Sequence, residues 1–158
     1  MGHRNIAYLG GTEETDLRQD RIAGYRHALK NLGLGSPVVW NSEDSKMAGL
    51  NAFVALHENH PEITAVVCNG DMVALGACLA LIRSGSPPGK DVSVIGFDDI
   101  QDAAVATPAL TTMAVSPYQL GRRLARVILD RIRKPEMPQT VIEVSAQLTV
   151  RETTGRTS

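Results

Sequence analysis

The sequence is short of the residues that most often carry redox, metal or membrane chemistry. Its 158 residues include two cysteines, one tryptophan, three tyrosines and two phenylalanines, and aromatics make up 4% of the chain. Cys68 and Cys78 form neither a Cys-x-x-Cys pair nor a group with histidine at zinc-finger spacing. They read as small buried hydrophobes of a reducing compartment. His3, His27, His57 and His60 are scattered, so no metal and no cofactor is expected. Apolar runs such as Ala65 to Cys68 and Val92 to Phe97 are far below the roughly 20 residues that span a bilayer. The first residues lack the basic segment and long apolar core of a secretory signal, and the expectation is a cytoplasmic protein with no membrane contact. Charge of one sign is also missing. Sixteen basic and seventeen acidic residues give a net charge of -1, and no stretch gathers Lys and Arg as a surface that tracks phosphates does. Binding of DNA by this chain alone is therefore not expected. Nor is there a Gly-x-Ser-x-Gly elbow, a phosphate-loop Gly-x-x-x-x-Gly-Lys, a His-Glu-x-x-His or a Gly-x-Gly-x-x-Gly, which argues against an enzyme.

What is present is an alternation of short apolar runs and helical periodicity. Ile6 to Leu9 reads as a buried strand stopped by Gly10-Gly11. Ile22, Tyr25, Leu29 and Leu32 recur at helical spacing ahead of Gly33, which suits a left-handed cap. Val38 to Trp40 predicts a second strand, and Met47, Leu50 and Val54 the inner face of a second helix that ends before Pro61. Thr64 to Cys68 then predicts a third strand, Met72 to Arg83 a third helix closed by Gly85, and Val92 to Phe97 a fourth strand after the Pro87-Pro88-Gly89 turn. Strands that are apolar throughout and separated by helices indicate an α/β fold, a parallel sheet flanked by helices. Beyond Pro108 the pattern changes. Leu110 to Val115 reads as extended, Pro117 suits the first turn of a long helix with Leu120, Leu124, Ile128 and Ile132 on one face, and Val141 to Val150 alternates like a strand.

In open parallel sheets, ligands bind beyond the carboxyl ends of the strands, where loops and helix N-termini present unpaired N–H groups. That position selects Gly10 to Asp16, Asn41 to Asp44, Asn69 to Asp71 and Asp98-Asp99. Asp98 either accepts hydrogen bonds from neighbouring ligand hydroxyls or caps the short segment Ile100 to Val105. Arg21, one turn inside the first helix, either reaches back over the cleft or forms an exposed ion pair. Asp71 suits an N-cap and Asn69 a turn, and neither role excludes ligand contact. Trp40 either stacks on a flat ligand or packs into the core, and core packing is the expectation.

Six segments together resemble the lactose and galactose repressor (LacI/GalR) family. They are Gly2 to Gly10, Arg21-Ile22-Ala23-Gly24-Tyr25, Asp71 to Ala77, Asp91 to Asp99, Thr107-Pro108-Ala109-Leu110-Thr111-Thr112 and Val150 to Gly155. In that family a DNA-reading helix-turn-helix precedes two α/β subdomains of a periplasmic-binding-protein-like fold that close on a small effector. The resemblance implies that 1–110 form the C-terminal subdomain and 111–139 a crossover strand and helix of the N-terminal subdomain. It makes 140–152 a strand returning to the first subdomain and 153–158 a tail. It further implies that the DNA heads and the first half of the N-terminal subdomain lie outside this chain.

Arg21 and Asp98 stand at the positions of the two main effector contacts. Asp44 stands where an aromatic stacks on the effector, and Asn69-Gly70-Asp71 replaces Asn-Asp before the third helix. Thr15 can supply a small hydroxyl near Leu17. A sugar-like or nucleoside-like effector, a homo-oligomer and DNA contact only through the missing head are implied. A sugar-binding protein of a transport system is the competing expectation, and the Thr-Pro-x-Leu-Thr-Thr segment and the Arg-Glu-Thr-Thr-Gly ending favour the repressor. The long helix would also lack the sheet it packs on in the family, so its apolar face is expected to join a second copy of the chain.

Overall fold

The computed structural model describes residues 1–12 and 15–157. Its elements run β1 (Ile6–Leu9), α1 (Asp16–Asn31), β2 (Val38–Trp40), α2 (Lys46–Asn59), β3 (Ala65–Cys68) and α3 (Asp71–Arg83). There follow β4 (Ser93–Phe97), α4 (Gln101–Val105), β5 (Thr111–Ala114), α5 (Pro117–Arg133) and β6 (Gln147–Thr149). One six-stranded sheet has the order β2-β1-β3-β4-β5-β6. The first five strands are parallel, and β6 joins antiparallel to β5 with Thr112 opposite Thr149.

Alternation along the strands distributes side chains to two faces. In β1, Ala7 and Leu9 enter the main core with Leu50, Phe53, Leu56, Val73 and Leu81 of α2 and α3. Tyr8 points the other way, into a smaller cluster with Ile22, Tyr25 and Leu29 of α1. Burial of whole Leu, Val and Phe side chains stabilises by about 1.5–3 kcal/mol each, so these two clusters fix the helices on the sheet. Thr15 and Ser45 accept hydrogen bonds from backbone N–H groups in the first turns of α1 and α2, and Gly33 follows the end of α1 at φ +60°.

Two helix faces differ from the sequence reading. In α2, Met47 and Val54 are 63% and 42% exposed, while Gly49, Leu50, Phe53 and Leu56 face inward. The helix is rotated because α3 approaches it very closely: a Cβ at Gly76 would lie 2.2 Å from the Lys46 carbonyl oxygen. In α1 the buried stripe is Arg18, Ile22, Tyr25 and Leu29, and Leu32 lies beyond the last helical turn in solvent.

The C-terminal segment also departs from expectation. Thr111 pairs with Ile95, and Thr111 and Thr112 are fully buried, so the sheet runs through the expected boundary at 110. The extended stretch from Val141 is a strand only at Gln147–Thr149, where β5 offers a partner, and Val141 is exposed. The helix α5 has no buried residue: Leu124, Ile128 and Ile132 are 61%, 62% and 70% exposed. Ser116 caps it and Pro117 opens it, so its local chemistry is complete while its apolar face is uncovered.

Candidate functional site

The loops after β1, β2, β3 and β4 bring Thr15, Asp44, Asn69 and Asp98 to one end of the sheet. Gly10 donates its N–H to the Trp40 carbonyl at 2.8 Å, and Asn69 donates to the Leu9 carbonyl at 2.8 Å, which ties three of these loops together. The side chain of Asn69 is fixed from below, where the Tyr8 hydroxyl donates to Oδ1 at 2.8 Å.

Arg21 projects from α1 over this end. Its guanidinium lies 3.9 Å from the centre of the Phe97 ring and donates through Nη1 to the Asn69 carbonyl. Nη2 stands 3.8 Å from Asp98 Oδ1, with the two side chains 18% and 53% exposed. The buried Nε of Arg21 has no hydrogen-bond partner among the described residues. A buried N–H without a partner loses its hydration without replacement, a cost that the contacts of Nη1 and Nη2 offset. Burial moves the Asp98 carboxyl above its ordinary range. Arg21 opposes that movement, and the carboxylates of Asp71 and Asp44 reinforce it.

Asp44 and Asp98 meet at Gly70, where a Cβ would lie 3.4 Å from both Asp44 Oδ1 and Asp98 Oδ2. A cavity of about 400 Å³ opens on the Asp44 side, with Thr12, Thr15, Arg18, Glu43, Asp44 and Asn69 in its lining, while Arg21 and Asp98 stand outside that lining. That volume falls within the range of small-molecule sites. A second depression of about 350 Å³ is walled mainly by Leu75, Leu79, Ile82 and Val105, and its charged groups, Lys46 and Asp102, already pair with each other.

Asp71 takes a place the sequence did not suggest. The residue at the N-cap is Gly70, and Asp71 begins the helix with a carboxylate only 1% exposed. It accepts from the Thr112 hydroxyl at 2.6 Å and from the Ile100 N–H at 2.9 Å. Gly96 makes this possible, because a Cβ there would sit 2.1 Å from Asp71 Oδ1. Burial raises the Asp71 carboxyl, the two donated hydrogen bonds hold it down, and Asp99 pushes it up. Asp71 therefore braces the β4 loop from behind and does not face the cleft.

Arg18 was not singled out from sequence. It is buried, lines the cavity and donates from Nη2 to Asn41 Oδ1 at 2.7 Å. The signal for it was its spacing: Arg18 occupies the stripe of Ile22, Tyr25 and Leu29, one turn ahead of them.

A sheet with ligand-facing loops at its carboxyl end, flanked by helices on both faces, defines a binding domain of the periplasmic-binding-protein-like class. Residues 1–154 match the family of the periplasmic binding protein-like domain. The chain is 34% identical over 157 residues to the HTH-type transcriptional repressor PurR of Vibrio campbellii, covering 96% of this chain and 46% of that protein. Among solved structures it is similar to a LacI family transcriptional regulator from Enterococcus faecium with bound ribose. That likeness has a TM-score of 0.88 at 27% identity, over 98% of this chain and 57% of the other. It is also similar to the lac repressor dimer bound to operator and the anti-inducer ONPF, with a TM-score of 0.87 at 27% identity over 98% of this chain and 54% of the other. The chain belongs to the LacI/GalR family of transcriptional regulators and corresponds to part of their effector-binding domain. It spans about half the length of the curated relatives it matches.

Proposed function

We propose that this chain senses a small, hydroxyl-rich effector, sugar-like in its chemistry, on behalf of a DNA-reading helix-turn-helix outside these 158 residues. The observation that carries the reading is the opposition of Arg21 and Asp98 at 3.8 Å beside the cavity. Asp98 and Asp44 accept from neighbouring hydroxyls, while the Arg21 guanidinium, Asn69 and Thr15 complete a set of donors and acceptors around the ring. Paired carboxylates meeting at Gly70 suit a polyol better than a flat base, since the described residues lining the cavity include no aromatic for stacking. The ribose bound to the Enterococcus faecium regulator supports the same ligand class.

The groups serve binding, with no reaction assigned to them, and a regulator of this kind works in the cytoplasm. In this reading α5 belongs with the N-terminal subdomain. In these 158 residues taken by themselves, two copies cover the exposed Leu124, Ile128 and Ile132 by joining through them. Isothermal titration of the 158-residue chain with ribose, cellobiose, lactose and adenosine tests the ligand class. A sugar should bind and lose at least about tenfold in affinity in Asp98→Ala, the loss of one good charged hydrogen bond. Binding of adenosine alone, or of none of the four, contradicts the reading.

A further inference from the structure

Asp98 and Asp99 follow one another at φ +113° and +54°, two adjacent non-glycine residues in a region of backbone space that L side chains rarely occupy. Such a backbone persists where its surroundings hold it on several sides. On one side the Asp98 N–H donates to the Met113 carbonyl at 2.9 Å, and on the other the Ile100 N–H is held by Asp71. Between these points the side chain of Asp99 is gripped directly: its Oδ1 accepts from Arg151 Nη2 at 2.6 Å, a closer contact than the 3.8 Å between Asp98 and Arg21.

Arg151 is itself held by two further hydrogen bonds. Nη1 donates to the Leu110 carbonyl at 2.8 Å, its backbone N–H donates to Thr111 Oγ1 at 2.9 Å, and its side chain is only 19% exposed. The guanidinium fork thus spans the start of β5 and the turn that carries Asp98, a geometry a lysine ammonium does not reproduce. Because Arg151 follows β6, the same fork ties that turn to the strand by which the chain returns from α5.

We propose that Arg151, acting through Asp99, is the positioning residue that holds the Asp98 carboxylate in the cleft opposite Arg21. The proposal rests on the reading of Asp98 as an effector contact, but its test needs no effector. The test is a carbon-13 NMR titration of the Asp98 carboxyl in the 158-residue chain and in Arg151→Gln and Arg151→Lys. In the folded wild type Asp98 faces Arg21, Asp71 and Asp44, and its burial places its titration above the ordinary value of 3.8. When the clamp is lost the turn relaxes, Asp98 swings into water, and its titration falls back toward that value. Electrostatics alone would do the reverse in Arg151→Gln, because removing a nearby positive charge raises a carboxylate's pKa.

A downward shift of Asp98 in Arg151→Gln is the expected result. Arg151→Lys keeps the charge and loses the fork. It should shift Asp98 downward as well, and it carries the test if the glutamine variant does not fold. An Asp98 titration that is unchanged or raised in either folded variant overturns the proposal. A downward shift in a chain that binds no sugar leaves the clamp standing and removes the functional reading instead.

Discussion

Replacing Asp71 with alanine takes away the acceptor of two buried donors, the Thr112 hydroxyl at 2.6 Å and the Ile100 N–H at 2.9 Å. Hydrogen bonds to a charged partner contribute about 1.5–3 kcal/mol each, and a buried donor left unpaired costs about 1–3 kcal/mol. The raised Asp71 titration shows that burial of the carboxylate already offsets part of that gain. The net loss should therefore be about 2–4 kcal/mol, and Asp71→Asn, which keeps shape and one acceptor, should lose about half as much. Urea unfolding followed by the fluorescence of Trp40, the only tryptophan, measures both. A double-mutant cycle separates the contact from general disruption: Thr112→Val should cost at least about 1 kcal/mol less in the Asp71→Ala background than in the wild type. The brace is refuted if Asp71→Ala costs under about 0.5 kcal/mol, or if the two substitutions are additive.

Two further outcomes follow from the same geometry. Asp98 is held above its ordinary value of 3.8, so the folded chain binds a proton there that the unfolded chain has released, and this contribution to stability falls as pH rises through that interval. Asp98→Asn should accordingly gain stability relative to wild type between about pH 3 and about pH 7 in paired thermal melts, and a constant difference would contradict the shift. For the uncovered helix, light scattering should give the wild-type chain a mass above that of a monomer, and Leu124→Glu with Ile128→Glu should bring it down to one; a monomeric wild type removes the self-association.

The order and type of the first elements could be read from the chain because β1 to β4 are almost wholly apolar and each is punctuated by Gly, Pro or a helical period. Helix rotation was less legible. Met47, Leu50 and Val54 fit a helical stripe as well as Gly49, Leu50 and Phe53 do, and only the contact of Gly76 with the α2 backbone decides between them. At the site, Asp98 emerged because it lies where a loop leaves the carboxyl end of a strand, and Arg21 because it stands one turn inside the helix that follows the first such loop. The inward turn of Asp71 did not, since it depends on the missing side chain of Gly96 and on a threonine 41 residues away. Arg18 stayed hidden because an arginine in an apolar stripe reads as a solvated interruption until Asn41 is seen beside it.

The most direct test of effector sensing at Arg21 and Asp98 is an NMR titration of the isotope-labelled chain with ribose that follows the Arg21 side-chain Nε–H. A sugar held between the guanidinium and Asp98 should perturb that resonance, together with the amides of Asn69 and Asp98. Shifts confined to the groove of Leu75, Leu79 and Val105, or no shift at Arg21 while ribose binds, would contradict it.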